Sequence, residues 1–219
     1  MADSGTHKAR LLHYFPPSAA AEDTKADSAT WCGWHNDHGS LTGKSPFCWH
    51  QGREAASSLP IFLLVPPPCI LDPLAFVLTD PSRGCVAGLT SALYSDPEGI
   101  EVGAPCTQAG LYVRTRNGEE RKVSIPADCL AFQVGECAQV HSGGLLRATP
   151  HAVRAPRGQG AAQARVGRNT FAVFMQPRWD EPMDPPPSRA TTELVAVEGW
   201  HAAQNFGTFT TTRLDEYYG

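Results

Sequence analysis

Two residue types that bind metals stand two positions apart early in the chain, at His35 and Asp37, with Asn36 between them. Successive side chains of a β-strand point to opposite faces, so His35 and Asp37 are expected to project from the same face. That arrangement puts an imidazole beside a carboxylate, and both groups are ligands for divalent metals. The pattern therefore predicts two ligands of one metal site.

A second histidine from a distant strand would complete a set of two imidazoles and one carboxylate. Such a set holds one face of a non-haem ferrous ion and leaves the opposite positions open. The candidates are His141, His151 and His201. His141 lies in QVHSGG, whose glycines indicate a turn, and His201 lies near the end of the chain, whereas His151 opens the apolar run HAVRAP. Strand context therefore favours His151.

Arg168 and Thr170 precede an apolar run in the later segment RNTFAVFMQP. Strand alternation predicts that these two side chains share a face. An arginine fork with a hydroxyl beside it is suited to bind a carboxylate at two points. The pair is therefore a candidate site for an anionic ligand.

Short apolar runs separated by glycine and proline make up most of the chain, so strands joined by turns are favoured over long helices. Asn117-Gly118 stands between two alternating runs, which is a strong signal for a β-hairpin. We predict an all-β core with a minor helix in TTTRLDEYYG, arranged as an antiparallel sandwich or barrel. The predicted strands lie in KARLLHYF, GWHNDHGSLTG, SALYS, AGLYVRTRNGEERKVSIP, DCLAFQVG, HAVRAP and RNTFAVFMQP.

The composition is that of a globular chain, since 42% hydrophobic and 18% charged residues over 219 positions allow one sizeable core. A net charge of -4 and a pI of about 6.0 argue against nucleic acid or an anionic membrane surface as partner. The longest apolar run, LPIFLLVPPPCILDPLAFVL, is interrupted by prolines and an aspartate and does not fit a membrane span. We expect a single domain over residues 1–219 that acts as a monomer on a small molecule.

The seven cysteines are odd in number and include no CxxC pair, which fits neither a disulfide framework nor a zinc ribbon. The segment MADSGTHKAR lacks the apolar region of a secretory signal. Both observations predict a reduced, cytoplasmic setting.

Three segments, in order, resemble the C-terminal catalytic domain of the isopenicillin N synthase-like family of Fe(II)/2-oxoglutarate dioxygenases. They are WHNDHGSLTG, then GLYVRTRNGEERKVSIPADCLAFQVGECAQVHSGGLLRATPHAV, then RNTFAVF. They match the family's His-x-Asp, its run with a glycine and an acidic residue before HRV, and its Arg-x-Ser. LLHYFPP is similar to the family's NYYPP. Gln133 and Glu136 stand where the family usually has Asn and Asp.

The resemblance implies a double-stranded β-helix, or jelly roll, in which His35, Asp37 and His151 bind Fe(II). It also implies that Arg168, with Thr170, binds the carboxylate of the cosubstrate 2-oxoglutarate, and it adds ascorbate as a further candidate cofactor. Enzymes of this family consume O2 and 2-oxoglutarate, release succinate and CO2, and oxidise a C–H bond of a small organic substrate.

Residues 44–87 interrupt the family pattern, because removal of residues 44–88 places LTSALYSD directly after WHNDHGSLTG. The edges of the segment can be read as splice sites: GKS at its start can be encoded GGT AAG TCN, and AG at its end GCA GGN, in one reading phase. The hypothesis is that the segment is a translated, retained intron. The alternative is a genuine surface insertion, which costs little in closure entropy. The family's N-terminal helical region is also expected to be missing from this domain.

The expected function is that of a non-haem Fe(II)- and 2-oxoglutarate-dependent dioxygenase that hydroxylates or desaturates a small metabolite. One alternative is an iron oxidase of the same fold that does not use 2-oxoglutarate, and Arg168 speaks against it. The other is a catalytically inactive jelly-roll binding module, which is favoured if the insertion prevents iron binding. Measurements of succinate release and of metal binding distinguish these three functions.

Overall fold

The computed structural model describes residues 8–17, 30–39, 63–65, 86–127, 129–156 and 165–218. Within these residues the chain is mainly antiparallel β-strand with a few short helices, as expected. The strands are β1 (Lys8–Tyr14), β2 (Thr30–His35), β3 (Leu63–Val65), β4 (Val86–Leu89), β5 (Leu93–Ser95), β6 (Glu101–Val102), β7 (Gly110–Arg114), β8 (Glu120–Val123), β9 (Leu130–Val134), β10 (His151–Arg154) and β11 (Gly167–Phe174). The α-helices are α1 (Glu136–His141), α2 (Thr192–Val195) and α3 (Phe206–Tyr218), and a 3-10 turn covers Pro187–Arg189.

The larger sheet is organised around β11. One edge of β11 pairs with β1 along its whole length. The other edge pairs with β4 and with β5, which follow each other along the same edge. β9 continues the sheet beyond β4, and β1, β3 and β6 are its outermost strands among the described residues. Arg168 and Thr170 therefore lie on a central strand with neighbours on both sides.

The smaller sheet has the order β2-β10-β7-β8. His151 on β10 lies opposite His35 on β2 and opposite Val113 on β7. β7 and β8 form the hairpin that was predicted around Asn117-Gly118. Gly118 has a φ of +80°, a conformation that few other residues adopt readily, which explains why the turn is made there.

The two sheets contact each other near the start of β2 and near the start of β10. The Tyr14 ring of the larger sheet lies 5.9 Å from the Trp31 ring of the smaller one, measured between centroids. The Thr149 amide, just before β10, donates to the Val134 carbonyl at the end of β9 over 3.1 Å. The Glu136 amide, just after β9, donates to the Asp37 carbonyl over 2.8 Å, which places the residues after β9 next to the loop after β2.

A separate apolar cluster forms where the C-terminal segment packs on α1. Its buried members are Val134, Cys137, Ala138, Val140, Met183, Val195, Trp200, Phe206 and Phe209. The indole N–H of Trp200 donates to the Met183 carbonyl over 2.8 Å, so the large ring is buried with its polar atom satisfied. The predicted C-terminal helix is present, but it starts at Phe206 rather than at the threonines, because Phe206 and Phe209 are buried in this cluster.

Most of the segment 44–87 lies outside the described residues. Of the part that is described, β3 pairs with β9, and Val86 and Ala87 begin β4, which pairs with β9 and β11. Among the described residues, no helix has the length and apolar character needed to cross a bilayer.

Candidate metal centre

The side chains of His35, Asp37 and His151 come together at one end of the smaller sheet. Each offers one ligand atom, and these three atoms lie within 4.8 Å of one another. Asp37 Oδ1 is 3.9 Å from His35 Nε2 and 3.8 Å from His151 Nε2. The two imidazole rings lie side by side, with centroids 4.1 Å apart. This set is called the candidate metal centre below.

Both imidazoles are oriented by backbone carbonyls two residues upstream. His35 Nδ1 lies 2.8 Å from the Gly33 carbonyl oxygen, and His151 Nδ1 lies 3.1 Å from that of Thr149. A carbonyl oxygen only accepts, so each Nδ1 carries a proton and donates it. Nε2 is therefore the nitrogen left for a metal, and it is the one that faces Asp37. Histidines that bind metals are commonly oriented through the other ring nitrogen in this way.

The two histidines differ in their affinity for protons. Burial opposes protonation of His35, but the Cys32 sulfur, the Gly33 carbonyl and the Asp37 carboxylate outweigh burial and raise its pKa to about 9. Burial lowers the pKa of His151, Asp37 opposes that shift, and a charged His35 adds to it. In the absence of a metal, the positive charge next to Asp37 at neutral pH is therefore on His35.

Asp37 lies beyond the end of β2, so strand alternation alone does not position it as the sequence pattern suggested. Its carbonyl accepts from the Glu136 amide over 2.8 Å. The Asn36 side chain donates to Glu136 Oε1 over 3.3 Å. Only glycine fits at position 135, where the chain after β9 passes the loop after β2, because a Cβ there would lie 1.9 Å from the Gly39 carbonyl oxygen. The loop that carries Asp37 is thus held against the end of β9.

Glu136 also forms a buried ion pair with the C-terminal helix α3. Arg213 donates to both of its carboxylate oxygens over 3.0 and 2.9 Å. Arg213 is further paired with Glu216 and, at 3.8 Å, with Glu198. His38 Nδ1 lies 3.6 Å from Glu136 Oε2. Both neighbours of Asp37 in the chain, Asn36 and His38, therefore contact the same carboxylate that α3 holds.

Gln133 is a polar residue of this site that the sequence pattern did not single out as functional. Its side chain is fully buried. Its Nε2 lies 3.0 Å from Asp37 Oδ2 and 2.8 Å from His151 Nδ1. The sequence offered one indication of its role. Gln133 is a polar residue in the apolar strand LAFQV, two positions after Ala131 and therefore on the same, buried face.

Arg168 and Thr170 are both buried on one face of β11, whereas Asn169 is half-buried and Phe171 is exposed. Buried Arg168 Nε has no hydrogen-bond partner among the described residues. An unpaired polar atom of a buried guanidinium is costly unless a ligand satisfies it. The Arg168 side chain can therefore bind an anionic ligand by donating a hydrogen bond to it.

Tyr14 on β1 lies beside this arginine, opposite it in the pairing of β1 with β11. The Arg168 guanidinium carbon is 5.6 Å from the centre of the Tyr14 ring. Burial raises the pKa of the Tyr14 phenol; Cys32 and Asp37 raise it further, and Arg168 partly opposes them. The phenol therefore keeps its proton and can donate a hydrogen bond.

The other two candidate histidines lie elsewhere. His141 is the last residue of α1, not part of a turn, and its buried Nε2 lies 3.0 Å from the Pro182 carbonyl oxygen. His201 is exposed and lies 3.3 Å from the Ala202 carbonyl. Among the described residues, the group close enough to bind one metal ion consists of His35, Asp37 and His151.

No family model and no curated protein matches the chain. The chain does resemble solved oxygenase structures in fold. Against T7H from Neurospora crassa in complex with alpha-KG, the TM-score is 0.54 at 18% identity, over 98% of this chain and 45% of that one. A protein assigned to the 2OG-Fe(II) oxygenase family from Caulobacter crescentus gives 0.51 at 18% identity, over 96% and 46%. The dioxygenase for auxin oxidation from rice gives 0.51 at 14% identity, over 96% and 47%. The chain shares the fold of these oxygenases and spans less than half of each.

Proposed function

We propose that this chain is a non-haem Fe(II)- and 2-oxoglutarate-dependent dioxygenase that hydroxylates or desaturates a small organic metabolite. The observation that carries the proposal is the convergence of His35, Asp37 and His151, whose ligand atoms lie within 4.8 Å of one another. Two imidazoles and one carboxylate are the ligand set of non-haem iron oxygenases. The likeness in fold to T7H and to the rice enzyme supports the same class.

We further propose that the two sheets form a double-stranded β-helix, or jelly roll. Support comes from the sheet orders, since β1, β11, the pair β4/β5 and β9 make four neighbouring positions in one sheet, and β2, β10, β7 and β8 make four in the other. Within each sheet, these neighbouring strands pair antiparallel. Two antiparallel sheets of four strands are typical of a jelly roll.

The residues fit a ferrous ion held by His35 Nε2, His151 Nε2 and Asp37 Oδ1. The Nδ1–H groups of both histidines donate to backbone carbonyls, so their Nε2 atoms are oriented toward Asp37 before any ion binds. Such preorganisation lowers the cost of binding. When bound, iron supplies the chemistry of O2 activation.

Arg168, Thr170 and Tyr14 fit the distal carboxylate of 2-oxoglutarate. The unsatisfied Nε of buried Arg168 offers a donor, and a charge-assisted bond to a carboxylate is among the strongest available to a protein. Thr170 is buried on the same strand face, and the Tyr14 phenol keeps its proton. These groups bind and orient the cosubstrate while the burial of Arg168 excludes water.

Access to the centre is asymmetric. The His35 side chain is 29% exposed, whereas that of His151 is 9% exposed. A small substrate and O2 therefore reach the centre from the side of β2, with His151 at the back against the larger sheet.

The test is an anaerobic titration of the metal-free protein with Fe(II), with and without 2-oxoglutarate, followed by admission of O2. We expect a weak visible charge-transfer band that appears only with both additions, and succinate formation after O2 enters. Arg168→Leu is the matched variant, because it leaves the three metal ligands in place. It should bind Fe(II) but lose the band at the same 2-oxoglutarate concentration.

The alternatives give different results in the same titration. An oxidase of this fold that does not use 2-oxoglutarate binds Fe(II) without the band and turns over without succinate. A catalytically inactive binding module shows neither band nor succinate in a folded sample, and that result would contradict the proposal.

The remaining expectations are part of the same proposal. They are a single domain over residues 1–219, a monomeric state, a cytoplasmic location, ascorbate as an auxiliary reductant and a retained intron as the origin of residues 44–87. Transcript sequencing tests the last one, because reads that skip the segment in frame support it and full-length reads alone contradict it.

A further inference from the structure

Gln133 stands out because it is a fully buried amide on a strand that carries none of the three proposed ligands. It lies on β9 of the larger sheet, and its backbone pairs with Ala87 on β4. Its side chain reaches across to the smaller sheet, where Nε2 lies 3.0 Å from Asp37 Oδ2 and 2.8 Å from His151 Nδ1. Burying an amide without a hydrogen bond is costly, so the contact with Asp37 is expected to govern its orientation.

The orientation of the amide follows from its neighbours. An ionised carboxylate only accepts, so the amide nitrogen, not its oxygen, must face Asp37 Oδ2. The amide nitrogen carries two hydrogens, and the Asp37 carboxylate is the stronger acceptor within its reach. The N–H of Gln133 is therefore donated to Asp37. Gln133 Oε1 has no hydrogen-bond partner among the described residues.

The two oxygens of Asp37 consequently have different roles. Oδ2 accepts from Gln133 at 3.0 Å. Oδ1 is the atom that faces both imidazoles, at 3.9 Å from His35 Nε2 and 3.8 Å from His151 Nε2. A carboxylate with one oxygen tied in this way is turned so that only its other oxygen is directed at the centre.

We propose that Gln133 is a positioning residue that makes Asp37 a one-oxygen ligand. This inference rests on the proposed function and deepens it, because a carboxylate that binds through one oxygen leaves an additional coordination position free. A centre that takes up both 2-oxoglutarate and O2 needs open positions. Gln133 is not itself one of the proposed ligands and acts by holding Asp37.

The test compares wild-type protein with Gln133→Leu, which has a similar volume and no donor. Co(II) replaces Fe(II) as the probe, because its visible absorption reports both binding and coordination number. We expect Gln133→Leu to bind Co(II) about 10- to 100-fold more weakly, the usual effect of removing a hydrogen bond to a metal ligand. The visible absorption should also change in intensity, because Asp37 becomes free to bind through both oxygens. A merely structural role would leave that spectrum unchanged.

The matched control is Gln139→Leu, at another buried glutamine. Gln139 bonds to the backbone of Val195, Ala196 and Ala148 in the C-terminal region rather than to the centre. Its replacement should lower the thermal midpoint of the metal-free protein and leave the Co(II) affinity and spectrum of the folded fraction as in wild type. If Gln133→Leu does not fold, Gln133→Asn takes its place, because its shorter amide cannot reach Asp37 Oδ2 in the same way and should weaken Co(II) binding too.

Each outcome decides between the inference and the proposed function. Wild-type Co(II) affinity and spectrum in the folded Gln133 variant overturn the role of Gln133 and leave the proposed function standing. Absence of Co(II) binding to folded wild-type protein overturns both. Weaker binding with a changed spectrum in the Gln133 variant, and neither change in the Gln139 variant, supports the inference.

Discussion

Two ion pairs of nearly equal length lie in opposite surroundings. Arg213 and Glu136 are 2.9 Å apart behind the candidate metal centre, with side chains only 6% and 4% exposed. Arg121 and Glu119 are 2.8 Å apart on the β7–β8 hairpin, with side chains 49% and 58% exposed. Distance alone does not distinguish them, yet water screens the second pair and not the first. The comparison indicates that breaking the buried pair costs more stability than breaking the exposed pair.

The sharpest difference between the two regions is expected at a proposed metal ligand. Asp37→Asn keeps the size of the side chain but removes the charge that a divalent cation needs. We expect Co(II) binding and succinate formation to fall below detection, whereas Glu119→Ala on the hairpin should leave both as in wild type. Co(II) titration by visible absorption and a succinate assay measure the two effects. Wild-type Co(II) affinity in the Asp37 variant would show that Asp37 is not a metal ligand.

The next largest effect is expected for the buried ion pair. Arg213→Met leaves Glu136 buried without its guanidinium partner, and removing one member of a buried pair costs about 3–5 kcal/mol. We expect a lower urea midpoint for the variant. Adding Glu136→Gln should restore part of the loss, because the uncompensated charge is then gone. Equal stabilities of wild-type and Arg213→Met protein would show that the pair is as weak as a surface one.

A smaller effect is expected at the proposed cosubstrate site. Arg168→Lys keeps the charge but loses the planar fork, so a carboxylate bound by it should lose about 2 kcal/mol, or roughly 30-fold in affinity. The 2-oxoglutarate dependence of succinate formation measures this change, and Co(II) affinity should not change. An unaltered dependence on 2-oxoglutarate would assign Arg168 to the structure alone. Arg121→Lys on the hairpin is the matched control.

The smallest effect is expected on the hairpin itself. Glu119→Ala and Arg121→Ala each break an exposed pair, and such pairs contribute at most about 1 kcal/mol. The coupling energy of the pair, taken as the sum of the two single-variant losses minus the loss in the double variant, should stay below about 0.5 kcal/mol in urea unfolding. A coupling as large as that of the Arg213–Glu136 pair would mean that burial does not govern the difference between the two regions.

Local patterns predicted the parts of the fold that depend on neighbouring residues. The β7–β8 hairpin forms where Asn117-Gly118 was expected to turn the chain, because the positive φ of Gly118 is a property of one residue. The helix α1 was missed, because ECAQVHSGG is short and its glycines suggest a turn. Packing stabilises α1, since all six of its residues are buried, and packing does not appear as a periodic pattern in so short a segment.

The sequence by itself determined which residue types could serve as ligands and the strands that carry two of them. It could not reveal that Gln133 bonds to Asp37 across 96 positions of the chain, or that Arg213 holds Glu136 across 77. Only the tertiary structure decided these contacts. The physical reason is that periodicity records which way a side chain faces, whereas the partner it meets depends on how distant strands and helices pack together.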